Sequence, residues 1–356
     1  MSVPNVAKPT AVDLFSGAGG VSLGLKLAGY RVIGAIEIDP AACKTYQLNH
    51  KHTRLWQSDI RRVSGRTLLN GLNLNRGELD LLAACPPCQG FSGIRTKNGR
   101  RAISDPRNDL LFEVVRMVDA LRPKMVMMEN VPALSKDGRF AIFCRRLKTY
   151  GYYISWAILD TSDYAVPQRR RRLVVLASST STPDFAPKAR KKKTVRDCIG
   201  RLDEPETSED PLHNYTSRRS ERVARLIRLV PRDGGGRLDL GPQFQLPCHR
   251  RTDGFRDVYG RMSWDRPAPT ITGGCINPSK GRFLHPTSDR SITLREAALL
   301  QTFPASYRFS LEAGKYFVAQ MIGNALPPEF IRRHAAAMKA GLVVWEEDSS
   351  TKSWLL

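Results

Sequence analysis

Short apolar runs that end on polar residues recur along the first half of the chain. Residues 12–15 run into Ser16-Gly17-Ala18-Gly19-Gly20, and Val21, Leu23, Leu25, Leu27 and Ala28 then follow a helical spacing until Gly29 stops it. Residues 32–36 predict a second strand ending at Glu37 and Asp39, and residues 40–49 a helix. A buried strand over 79–84 ends at Cys85-Pro86-Pro87-Cys88. A helix over 110–121 leads to a strand at 125–128 that ends at Glu129-Asn130, and further strands are predicted at 153–159 and 172–177. Strands alternating with helices at this spacing predict an α/β fold with a mostly parallel sheet covered on both faces. In such sheets ligands sit beyond the carboxyl ends of the strands. Ser16, Glu37, Cys88 and Glu129 fall at that end.

The pattern breaks after Ser178. A Ser/Thr-rich stretch and a basic run from Lys188 to Lys193 open a segment of irregular text rich in Arg, Gly and Pro. Helical spacing returns at 294–301, 317–322 and 328–340, and the tail from Glu346 reads as frayed. The expected organisation is a catalytic and cofactor-binding domain beginning at 10–178, a smaller irregular domain over 179–281, a return to the first domain over 282–340, and a tail over 341–356.

Composition changes the picture only through its charge. Among 356 residues, 56 Lys and Arg stand against 34 Asp and Glu, a formal net charge of +22. Such a surface draws in a polyphosphate partner and releases counterions on binding, which makes a nucleic acid the expected partner. Seven cysteines, an odd number scattered over a chain of ordinary size, argue against a disulfide framework. With no apolar leader and no run of about 20 apolar residues, the expected location is cytoplasmic.

Four constellations carry chemistry. The glycine turn, with Glu37 and Asp39 ending the next strand, suits a nucleoside cofactor, although its spacing is not that of a Gly-x-Gly-x-x-Gly fingerprint. A structural turn is the alternative. Pro86-Pro87-Cys88-Gln89 presents one thiol on a rigid approach ahead of a basic loop through Arg107, as a nucleophilic cysteine requires. An inert buried thiol is one alternative, and Cys85 leaves a redox or metal reading open, without the further ligands that zinc would want. Glu129 either caps the next segment or serves as an acid. Gln168-Arg169-Arg170-Arg171-Arg172 is either a solvated rim or an anion-binding edge; alternation sends Arg170 and Arg172 to one face.

These pieces, in this order, resemble the DNA cytosine-5 methyltransferase family. The matching motifs are residues 13–20, 86–89, 129–131, 168–172, 266–272 and 323–328, so the resemblance runs from about residue 10 to 335. It implies a Rossmann-like sheet with a target-recognition region in the variable segment, and S-adenosylmethionine as cofactor, with S-adenosylhomocysteine as product. Phe15 resembles the residue that stacks on the adenine. Ser16, Gly17, Gly19 and Gly20 resemble the loop around the methionine portion, Glu37 the ribose-binding acid, Asp59 the acid for the adenine amine, and Asn324 part of the closing motif. Cys88 resembles the attacking thiolate, Glu129 the acid at cytosine N3 and the exocyclic amine, Arg172 the arginine near O2, and Arg170 one that orders the catalytic loop. Gln89, Ser92 and Arg95 fall in the loop that closes over a flipped base, and Cys85 resembles a small strand-end residue.

Double-stranded DNA is the implied partner. Arg218, Arg219, Arg222, Arg250, Arg251 and Arg256 are expected on the wall of the cleft that holds it. A transfer-RNA substrate and a DNA-binding module without catalysis are the alternatives. The basic variable segment disfavours the first; Cys88, Glu129 and Arg172 together disfavour the second. The short chain resembles the bacterial restriction–modification type, which implies a monomer and a cognate restriction endonuclease acting on the same site without a stable complex.

Overall fold

The computed structural model describes residues 7–87, 109–215, 219–244 and 256–352. The described residues divide into two compact units: those within 1–160, 171–187 and 328–356 form the first, and those within 161–170 and 188–327 the second.

The first unit is built on a seven-stranded sheet in the order β3-β2-β1-β4-β5-β7-β6. Its strands are β1 (Thr10–Leu14), β2 (Arg31–Glu37), β3 (Arg54–Gln57), β4 (Leu81–Ala84), β5 (Met125–Asn130), β6 (Tyr153–Asp160) and β7 (Arg171–Ser178). The first five are parallel; β7 enters antiparallel between β5 and β6. Strand order reverses beside β1, so the crevice where ligands collect lies past Leu14 and Ala84. Because β7 runs backwards, its first residues stand beside the last residues of β5: Leu173 pairs with Asn130 and Val174 with Glu129.

Local chemistry places the helices. Asp39 accepts from the Ala42 N–H at 2.8 Å and Pro40 supplies the first turn of α2 (Pro40–Asn49), which follows α1 (Gly20–Leu27). Asp137 caps α5 (Gly138–Thr149); α3 (Gly65–Leu72) and α4 (Leu110–Leu121) precede it. Leu111, Val114, Val115 and Val118 on α4 and Phe140, Phe143 and Leu147 on α5 share one core with Val12, Leu82 and Val126 of the sheet.

The second unit holds α6 (Val195–Ile199), α7 (Glu221–Leu229), α8 (Leu294–Leu300) and α9 (Lys315–Asn324) among irregular chain. Leu226, Ile227 and Val230 pack with Val258, Tyr259 and Leu284. Arg261, wholly buried, donates to the carbonyls of Ile227, Val230, His285 and Ser288 and to Asp289 Oδ1 at 2.5–3.1 Å. All of its guanidinium nitrogens are engaged, two of them on the orphan carbonyls at the end of α7. The final helix, α10 (Pro328–Lys352), belongs to the first unit and runs through most of the tail that reads as frayed. No described helix is long and apolar enough to cross a membrane.

Candidate active site

Leaving β1, the chain turns sharply. Phe15 sits at φ 60°, Gly17 at 53° and Gly19 at 93°, left-handed conformations that glycine adopts without strain. The Gly17 N–H donates to Glu37 Oε2 at 2.8 Å, while Glu37 Oε1 accepts from the backbone of Ile38 and Asp39. Glu37 thus ties two strand ends together and keeps one lone pair on Oε2 for a further donor. Ser16 is buried, and its Oγ has no partner among the described residues; the same holds for Asp13 Oδ1. A glycine turn with unfilled polar atoms close to it in sequence fits a polar ligand such as a nucleoside. Asp59, which caps the short turn Ile60–Arg62, has both oxygens taken by Arg61, which holds its carboxyl down at about 2. Arg61 is largely exposed, so this ion pair is weak and open to displacement.

Further along the same edge, Arg172 Nε donates to Glu129 Oε1 at 2.6 Å, both side chains being mostly buried. Ala84 pairs with Met128, so Cys85 follows in register with Glu129. Its thiol bonds Glu129, and burial together with the Glu129 and Asp13 carboxylates pushes it well above the usual thiol range. Cys85 therefore stays protonated and is no nucleophile. Asn130, to which the sequence pattern assigns no role of its own, donates from Nδ2 to the Pro86 carbonyl at 3.1 Å and accepts the Val131 N–H at 2.7 Å. It anchors the chain two residues before Cys88. Cys88 itself, with Gln89, Ser92 and Arg95, lies outside the described residues, as do Arg218, Arg250 and Arg251.

Within the second unit, three of the sequence motifs converge. Gln168 donates to Gln301 Oε1 at 2.8 Å and accepts the Ile271 N–H at 2.9 Å. Arg170 is buried and donates from Nη1 to the carbonyls of Ile271 and Gly323 at 3.0 and 2.9 Å. Asn324 is exposed at the end of α9. Arg170 is thus a positioning residue that joins the 266–272 and 323–328 motifs; the alternation that separates it from Arg169 and Arg171 is present.

The profile of C-5 cytosine-specific DNA methylases matches residues 10–340. The chain belongs to that family. It is a DNA (cytosine-5)-methyltransferase that uses S-adenosylmethionine and acts on double-stranded DNA. The methyltransferase is 37% identical to the Type II methylase M.HgiDII of Herpetosiphon aurantiacus over 342 residues, 92% of this chain and 94% of that one. It is 34% identical to the Type II methyltransferase M1.BsuMI of Bacillus subtilis over 338 residues, 88% of this chain and 77% of that one. The solved structure of Entamoeba histolytica methyltransferase EhMeth shares its fold, with a TM-score of 0.65 at 18% identity over 94% of this chain and 99% of that one.

Proposed function

We propose that this methyltransferase modifies one cytosine within a specific duplex sequence, after rotating the base out of the helix, through a covalent bond from Cys88 to cytosine C6. The observation that carries this reading is the Glu129–Arg172 pair, set beside the strand that leads into Pro86-Pro87-Cys88. Cytosine C5 is a poor nucleophile. Addition of the Cys88 thiolate at C6 turns C5 into an enamine-like carbon, and the charge produced spreads to N3 and O2. Glu129 meets N3 and the exocyclic amine; Arg172 meets O2. Bound S-adenosylmethionine supplies the electrophilic methyl group. Loss of the C5 proton and of the thiolate restores the ring. A stacked base is out of reach of such a site, so it must be extruded.

Phe15, Ser16, Gly17, Gly19, Gly20, Glu37, Asp59 and Asn324 are the proposed cofactor residues, and Gln89, Ser92 and Arg95 the proposed loop contacts to DNA. Residues 179–281 are proposed as the target-recognition region. A cognate endonuclease acting on the same site without a stable complex is a further expectation, carried only by the resemblance to the restriction–modification type. The test is transfer of labelled methyl to duplex DNA and to transfer RNA, with the product base mapped. Duplex labelling at one sequence context is expected. Cys88→Ser should abolish transfer, and Glu129→Gln should lower it by about 100-fold or more while cofactor binding persists. Full transfer by Cys88→Ser would overturn the mechanism, and label on RNA alone the substrate.

A further inference from the structure

Asp13, inside β1 and at the foot of the glycine turn, is completely buried. Its Oδ2 accepts from the Ser22 N–H at 3.0 Å and from the Ser22 hydroxyl at 2.7 Å. Ser22 is the third residue of α1, whose N-cap, Gly19, offers no side chain; the carboxylate therefore takes an amide the helix cannot satisfy internally. The Ser22 hydroxyl also meets Tyr46 Oη of α2 at 2.8 Å. Oδ1, the other oxygen, has no partner among the described residues.

Among the described residues, the groups around Asp13 supply no counter-charge. Register places it on the sheet face of Glu37 and Cys85, and both Glu37 and the Cys85 thiol feel its charge or act upon it. Tyr46 is pushed upward by burial and by Asp13. Beyond Tyr46, the His50 ring lies tilted against it with ring centres 4.5 Å apart; burial and Lys26 push it down to about 3, so it stays neutral. Lys26 contacts His50 Nδ1 at 2.9 Å and is itself lowered by burial. A carboxyl removed from water beside other acids keeps its proton: burial first, and Glu37 with it, raise Asp13 to about 7 against the pull of the two Ser22 bonds.

We propose that Asp13 is a proton-linked positioning residue of the cofactor turn, protonated in much of the free enzyme at neutral pH and ionised, with release of the proton to solvent, when the cationic cofactor binds. This rests on the reading of the glycine turn as the cofactor site. S-adenosylmethionine carries a sulfonium and an ammonium against one carboxylate, whereas the product has no sulfonium charge. A cation seated on the turn favours the ionised form of the acid beneath it. The ionised carboxylate then binds the first turn of α1 more strongly, through charge-assisted bonds and the helix dipole. Cofactor binding and ordering of the turn become one event, and the methyl donor drives more proton release than the product does.

The test is calorimetric titration of the full chain with S-adenosylmethionine and with S-adenosylhomocysteine, at pH 7 in phosphate and in Tris. The buffer dependence of the enthalpy reports proton release. About half a proton per bound S-adenosylmethionine is expected, with about 10-fold tighter binding at pH 8 than at pH 6. The product should release less. Asp13→Asn should abolish the release and flatten the pH dependence. Release that persists in Asp13→Asn, or wild-type binding without release, overturns the proposal. Should Asp13→Asn fail to fold by circular dichroism, equal release by both ligands on the wild type overturns it. Glu37→Ala separates the two readings. If it leaves S-adenosylmethionine binding intact, the turn is not the cofactor site. If it weakens binding and the wild type still releases no proton, only the role of Asp13 falls.

Discussion

Glu129 and Arg172 are 43 positions apart in sequence yet share a hydrogen bond because β7 runs against β5, which puts the start of one strand beside the end of the other. Both residues were legible as polar groups at strand ends; their direct pairing was not, since it depends on strand order. Asp13 was less legible still. In sequence it is one acid ahead of a glycine turn, and only burial and the Ser22 donors give it a role. Its burial carries a stability consequence. The folded state binds the Asp13 proton more tightly than the unfolded chain does, so its contribution is greatest at low pH and falls as pH rises from the ordinary carboxylate range through about 7. Between pH 5.5 and 8 this one group should cost about 2 kcal/mol of unfolding free energy. Asp13→Asn keeps an acceptor for Ser22 and has no proton to lose. Urea melts at the two pH values should show that part of the difference vanish in the variant; an unchanged pH dependence would rule the assignment out.

Elements are legible in the sequence where apolar residues dominate the spacing, and hidden where a segment is short or charged residues dominate it. The helices at 40–49 and 110–121 stand where the spacing put them. Strand β3 escapes because Arg54, Leu55, Trp56 and Gln57 make only four edge residues, too few for a period to show. Helix α7 escaped because its Arg residues dominate the text, although Val223, Leu226, Ile227 and Val230 follow helical spacing and pack together. The helix end at Gly323 shows what an element boundary can demand. Arg170 bonds the Gly323 carbonyl, and the Thr272–Gly273 backbone lies against the Gly323 α-carbon so closely that a β-carbon would overlap it. Backbone cannot yield as a flexible side chain would. Gly323→Ala should therefore destabilise the chain by about 3 kcal/mol in chemical denaturation. A decrease under about 1 kcal/mol would show that α9 can shift away, and that the junction is not rigid.

At the scale of the whole molecule, the net charge of +22 stood out in the sequence, but charge alone could not say which residues face solvent. The two packing units are a division by contacts, in which the described residues of 282–327 pack with those of 188–281, whereas the functional division rests on motif order. Motif order encodes chemistry, whereas compactness depends on contacts such as those of Gln168 and Arg170 that no spacing reveals. Within that second unit, α7 turns Leu226 and Ile227 inward and leaves Arg222, Arg225 and Arg228 exposed. Arg228 is paired with Glu221 at 2.5 Å, which neutralises it locally. Arg222 and Arg225 are the better candidates for phosphate. Removing one arginine–phosphate pair should lower the slope of log affinity against log salt by about 0.9. Duplex binding by the double variant Arg222→Ala/Arg225→Ala should thus show a slope shallower by about 2, equally on target and unrelated sequence. Arg228→Ala should change it less, because its charge is already shared with Glu221. A double variant with the wild-type slope would place the DNA track on another face of this unit. Weakening confined to the target sequence would mean that α7 reads bases instead of phosphates.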